Sequence, residues 1–234
     1  MMLSGPLLML SRKSLVALVV LMGAASSVSA AGTAVVAGQG EQGSGRMEIA
    51  WAGEHMRMDF PAQPGTHIVV RDGQSFAVTH ESGRSVVMDM ATMGQMAPLF
   101  GARLGLPMNR AVSVDGIRPL GESETVAGVR GARYRIDWTD AEGRPRSDTV
   151  VLTDDPRVVE LTQALRRHVE SMQIAVARPI SVALRERGQG VLRFADRFEV
   201  VSISERVPPA EAFALPAEPM SLFQVMQDLG GWFE

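Results

Sequence analysis

Cysteine is absent from all 234 residues, so no disulfide can staple the fold, thiol chemistry is closed to it, and no cysteine can accept a lipid anchor. Lysine occurs once, at Lys13, tyrosine once, at Tyr134, and aromatic residues make up only 5% of the chain. After the first thirty residues no apolar run is long enough to span a bilayer. Excess base is lacking too: 23 Lys and Arg against 26 Asp and Glu leave a formal charge of −3, a poor match for nucleic acid. What is present, 46% hydrophobic residues with 23 Gly and 13 Pro, is a globular composition that excludes disordered and collagen-like chains.

Arg12 and Lys13 precede an apolar stretch over residues 15–22, and small residues follow over 23–30. That order predicts a secretory signal peptide, residues 1–30, cleaved after Val28-Ser29-Ala30. The expected product starts at Ala31 with 204 residues and a formal charge of −5. Its expected location is the periplasm, in soluble and unanchored form, and about 200 residues can build the core that replaces disulfides.

Beyond that point the dominant period is two. Met47, Ile49 and Trp51 alternate with Glu48 and Ala50; Met56, Met58 and Phe60 with Arg57 and Asp59; Val86, Met88 and Met90 with Val87 and Asp89. Such alternation predicts half-buried strands, and Ala52-Gly53-Glu54, residues 61–65, Asp72-Gly73 and Ser82-Gly83 supply turns short enough for antiparallel neighbours. Further strands are expected at 66–71, 74–79, 131–138, 147–153, 178–185 and 191–204, with apolar residues on one face only, so that the other face is wet.

Three segments break the period. Residues 93–106 suit a short helix weakened by Pro98 and Gly101. Asp155-Pro156 reads as an N-cap with proline at the first helical position, followed by Val158, Leu161, Leu165, Val169 and Met172 on one stripe. Near the C-terminus Leu222, Val225, Met226 and Leu229 repeat at helical spacing before Gly230-Gly231. The expected fold is α+β and mostly β, an antiparallel sheet that buries its one apolar face under those helices.

Met56-Arg57-Met58-Asp59-Phe60, the run from Val69 through Asp72-Gly73 to Val78, and Val86-Val87-Met88-Asp89-Met90 resemble the early hairpins of the periplasmic LolA/LolB-like superfamily. The run from Glu124 through Gly128 and Gly131 to Tyr134, and the closing Phe213-Ala214-Leu215-Pro216-Ala217, resemble a poorly characterised branch of it. The resemblance implies a curved, incomplete antiparallel barrel with helices packed as a lid on its concave apolar face, and an apolar cavity that, in the best-known members, carries the acyl chains of lipoproteins. It carries over no catalytic residue. A half-barrel domain over 31–218 and an amphipathic C-terminal helix over 219–234 are the expected divisions.

Four constellations have competing readings. Gly38-Gln39-Gly40-Glu41-Gln42-Gly43 matches G-x-G-x-x-G, but strand-like alternation follows where a dinucleotide site needs a helix, and Glu41 would face phosphate, so a flexible turn is expected. Met88, Met90, Met93 and Met96, with His55, Met56, Met58 and His80 nearby in the meander, are soft donors that could bind Cu(I); adaptable core packing is the simpler expectation. The histidines at 55, 67, 80 and 168 read as surface residues, His168 on the solvent side of its helix. Arg133, Arg135 and Asp137 read as a solvated outer face, with docking of a partner as the alternative. Neither G-x-S-x-G nor H-E-x-x-H occurs.

The expectation is therefore a non-enzymatic periplasmic binding or carrier protein without cofactor. Trp51, Met56, Met58, Phe76, Val78, Met88, Met90, Tyr134, Ile136 and Trp138 are the expected lining of a cavity for a hydrophobic small molecule, a lipid or a lipidated protein. The alternatives are an envelope interaction module with a filled core, and a Met-rich Cu(I)-binding protein.

Overall fold

The computed structural model describes residues 31–40, 43–81, 83–92, 111–172 and 179–220. Among them are β1 (Ala31–Gly40), β2 (Gly43–Ala52), β3 (His55–Asp59), β4 (Thr66–Arg71), β5 (Gln74–Glu81), β6 (Arg84–Asp89), β7 (Ala111–Val126), β8 (Val129–Asp140), β9 (Pro145–Thr153), helices α1 (Pro156–Ser171) and α2 (Pro179–Glu186), β10 (Gly190–Phe194), β11 (Phe198–Ser204) and a 3-10 turn (Ala210–Phe213). The strands form one antiparallel sheet of 11, in the order β6-β5-β4-β3-β2-β1-β11-β10-β9-β8-β7. Two meanders are thus zipped together by β1 and β11, and the sheet is open and half-barrel-like, with β6 and β7 at its edges.

Local chemistry explains the hairpins. Arg71 pairs with Gln74 across Asp72 and Gly73, at φ 51° and 73°. Two successive positive φ values make the turn whose twist matches that of the flanking strands, and an Asp-Gly pair tolerates them best. Within the G-x-G-x-x-G stretch, where a flexible turn is expected, Gly38, Gln39 and Gly40 belong to β1 and Gly43 to β2, with Gly40 opposite Gly43.

Helix α1 forms where Asp155 and Pro156 announce it. The Asp155 carboxylate accepts the Arg157 amide at 3.0 Å and binds the Arg157 guanidinium through Nε and Nη2. It buries Val158, Leu161, Ala164 and His168, and full burial of Val158 and Leu161 contributes about 1.5–3 kcal/mol each. The fully buried positions toward the helix end are thus 164 and 168, while the expected Leu165 is partly buried against the same core. Gly190 is what lets the helix sit so low: a Cβ there would lie 2.6 Å from the Val158 carbonyl carbon and the Val159 nitrogen. Beside it the Val191 amide donates to Thr162 Oγ1 at 2.9 Å.

Four expectations are corrected. Of the strand expected over 178–185, residues 179–185 are helical instead: Pro179 opens α2, and Ile180 and Leu184, one helical turn apart, pack on Ile136, Trp138 and Val150. The strand expected over 191–204 is broken into β10 and β11 by a turn in which Ala195 takes φ 48°. β7 had no counterpart, because Gly116, Pro119 and Gly121 punctuate a strand that register shifts interrupt in three places. Finally, the sheet is not wet on one side throughout: Val69, Phe76, Val78 and Val87 bury on the face away from α1, under Leu215. The expected helices at 93–106 and near the C-terminus, and the signal segment, lie outside the described residues.

Candidate functional site

Direct cross-strand partners share a face of the sheet, so register decides which candidate residues meet. One row runs Ile203, Ala34, Ile49, Met58, Ile68, Ala77, Met88, one residue from each of seven adjacent strands. Beside it runs Gly32, Trp51, Met56, Val70, Ser75. Trp51 and Met56 are 1% exposed and Met58 4%, covered by the core that includes Val158, Leu161 and Ala164 of α1. Toward the β6 edge the cover thins, and Ile68, Ala77 and Met88 are half-buried.

The ten expected cavity residues do not share one surface. Phe76 pairs with Val69 and Asp89, and Val78 with His67 and Val87, so both lie on the face opposite Met58 and Met88. Tyr134, Ile136 and Trp138 belong to a separate cluster under α2, where two of them have occupants from this chain. The Arg187 guanidinium stands 4.3 Å over the Tyr134 ring, and Trp138 Nε1 donates to Asp148 at 2.7 Å. Met90 is half-buried just beyond β6. The continuous apolar run Ile68-Val69-Val70 was the available signal that β4 is covered on both faces.

The sheet likewise divides the soft donors. Met56, Met58 and Met88 project to the α1 side, while His55, paired with Ala52, and His80, paired with Ser85, project to the other; Met93 and Met96 lie outside the described residues. Among the described residues no group of three or more His, Asp or Glu is placed to hold a metal ion.

Two histidines expected at the surface are buried: His67 is 5% exposed and His168 8%. His168 faces the sheet, with Nδ1 2.9 Å from Ser75 Oγ, and Ser75 also bonds the Ser171 hydroxyl. Ser171 gives its proton to the His168 carbonyl at 2.7 Å. One proton per hydroxyl then fixes the order. Ser75 donates to Ser171, and His168 Nδ1–H donates to Ser75. Ser75 is 0% exposed, so this serine-histidine pair ties helix to sheet and presents no nucleophile to solvent.

His67 occupies a cavity of about 260 Å³ on the opposite face with Arg57, His80, Glu211, Leu215 and Pro216. Burial pushes its imidazole pKa below the ordinary 6.5; the Arg57 guanidinium adds to this, Asp59 opposes it, and His80 lowers it further. A more open groove of about 410 Å³ lies beside the start of α1, among Ser123, Arg130, Tyr134, Asp154, Asp155 and Gln189. At the β8–β9 turn burial alone would raise the Asp140 pKa, but the Arg144 amide and the Arg146 and Arg144 guanidinium groups more than offset it and hold the carboxyl well below the usual range. On the outer face Arg133 meets Glu122 and Glu124, and Arg193 meets Glu124 and Glu199.

No helix among the described residues is long and apolar enough to cross a membrane. No protein-family model matches the sequence, and no curated protein matches it either.

Proposed function

We propose that the protein is a non-enzymatic binding or carrier protein of the cell envelope that holds a hydrophobic ligand, a lipid or acyl chain, in the concavity of an open half-barrel. The observation that carries this reading is the apolar row from Ile203 to Met88. Six interstrand steps make it about 29 Å long, and its last three members, Ile68, Ala77 and Met88, are only half covered. The ligand lies at that end, because Ile49 and Met58 nearer the middle are already sealed by the chain.

Helix α1 supports the concavity. It touches Gly190 of β10 through Val158 and Ser75 of β5 through His168. The ten residue steps from Val158 to His168 span about 15 Å of helix axis, whereas β10 and β5 are six strand steps apart in the sheet order, about 29 Å if flat. Side-chain reach supplies part of the difference, and curvature of the sheet toward the helix supplies the rest. An exported, soluble form suits the leader-like residues 1–30 and the absence of cysteine.

An environment-sensitive apolar dye is expected to bind at one site with roughly micromolar affinity. Met88→Arg should abolish binding, and Arg71→Met, on the far face, should not. A second reading, an interaction module whose core is full, draws on the sealing of Trp51, Met56 and Ile136 at 0–1% exposure. Absence of saturable dye binding by a folded protein decides for it.

A further inference from the structure

We propose that residues 205–220 form a pH-sensitive latch, closed over His67 at neutral pH and released when that imidazole takes a proton. The segment crosses the sheet face opposite α1 with few holds. Pro208 and Phe213 are buried, and most of the remainder is exposed. Arg57 Nη1 donates to the Ala212 carbonyl at 3.4 Å, the His55 ring lies 5.8 Å from that of Phe213, and Leu215 covers Val69, Phe76, Val78 and Val87. At its end the Met220 amide donates to the Val87 carbonyl at 2.8 Å. A segment with so few buried contacts and ladder bonds opens at lower free energy than the sheet beneath it.

His67 sits under this cover, and every charged group facing it can be named. Arg57 and Asp59 come from β3, where Asp59 accepts Arg57 Nε at 2.8 Å and Nη2 at 2.7 Å. His80 comes from β5, its ring 5.8 Å from that of His67, and Glu211 comes from the latch itself. An imidazolium formed in the closed state would be shut away from water, with a guanidinium already paired to Asp59 and a second imidazole beside it. Opening restores water to it.

The sign follows from linkage. Closure lowers the proton affinity of His67, so the proton favours the open state; closure is at full strength above the ordinary pKa of 6.5 and weakens as pH falls through it toward the lowered value. Release would uncover Val69, Phe76, Val78 and Val87 and free the β6 edge from its bridge to Met220. The latch covers the face opposite the proposed ligand strip and touches the strip's end through the bridge between Met220 and Met88; cysteine labelling of the latch needs no ligand, so failure of the latch and failure of the ligand reading stay distinguishable.

The absence of native cysteine makes single-thiol labelling clean. Val87→Cys reports the latch, Val207→Cys, at a site 71% exposed, corrects for reagent chemistry, and Val36→Cys, at a fully buried site in the central core, reports global unfolding. The ratio of Val87→Cys to Val207→Cys labelling rates is expected to rise severalfold from pH 7.5 to pH 5, while Val36→Cys stays protected. The same rise should be absent when His67→Gln is added. A flat ratio, a rise retained in His67→Gln, or parallel exposure of Val36→Cys overturns the proposal. If His67→Gln does not fold, the imidazole NMR titration of His67 in the parent decides: a midpoint below 6.5 that coincides with the labelling transition supports the latch, and one at or above 6.5 overturns it.

Discussion

Gly190→Ala is a sharp probe of how α1 is seated. The added methyl would lie 2.6 Å from two backbone atoms of the helix and 2.8 Å from the Val158 carbonyl oxygen. Side chains could step aside, but here a helix must move by roughly 0.8 Å, and overpacking of this kind costs about 1–3 kcal/mol, with rigid backbone toward the upper end. The Val191 amide bond to Thr162 Oγ1 lies next to the clash, and weakening it adds about 0.5–1 kcal/mol. Against this, alanine restricts the unfolded chain and returns about 0.4–1 kcal/mol. The net expectation is a loss of about 2–3 kcal/mol, or about 5–10 °C in Tm for a chain of this size. Gly45→Ala is the control, since nothing lies within 4 Å of a Cβ there. Urea and thermal denaturation of both variants by circular dichroism measure the difference. A Gly190→Ala protein as stable as Gly45→Ala would refute the close seating of α1 on β10, and with it the span from β10 to β5.

Asp155→Ala removes an N-cap and should cost about 1 kcal/mol at pH 7. Because the Arg157 side chain above all holds the Asp155 pKa below 3.8, that benefit is present above 3.8 and lost as pH falls through the lowered value, so parent and variant should converge in acid denaturation series. Ser75→Ala breaks the chain from His168 through Ser75 to Ser171 and should cost about 1–3 kcal/mol, with a shift of the His168 Nδ1 proton resonance. Met88→Leu combined with Met90→Leu should change stability by less than about 1.5 kcal/mol if both are packing residues; an anaerobic Cu(I) chelator competition in which the parent binds tightly and the variant does not would reinstate the metal reading.

Periodicity exposed the first meander because Met56, Met58 and their neighbours alternate cleanly and Asp72-Gly73 marks its turn. It also exposed α1, whose start is written in Asp155-Pro156. It failed where two periods share the same residues. Ile180, Val182 and Leu184 alternate like a strand, yet Ile180 and Leu184 are also one helical turn apart, and only the cluster they join distinguishes the two readings. The cavity list failed for a related reason: alternation assigns residues to a face within one strand but does not say which faces of different strands coincide. Phe76 and Val78 looked equivalent to Met56 and Met58 until the register placed them on opposite faces. His67 and His168 read as surface residues because a lone histidine carries no sequence mark of burial; what buries them is a segment more than a hundred residues away in one case and a helix–sheet contact in the other.

The half-covered strip Ile68, Ala77 and Met88 is the proposed seat of a hydrophobic ligand. The most direct test of that seat is mass spectrometry of organic extracts from the protein purified natively, without denaturation, alongside Met88→Arg purified in the same way. A co-purifying lipid or acyl species near one per chain is expected in the parent, depleted in Met88→Arg while circular dichroism shows both folded. A parent that carries no apolar species, or a Met88→Arg protein that retains it in full, would rule out a ligand on this strip.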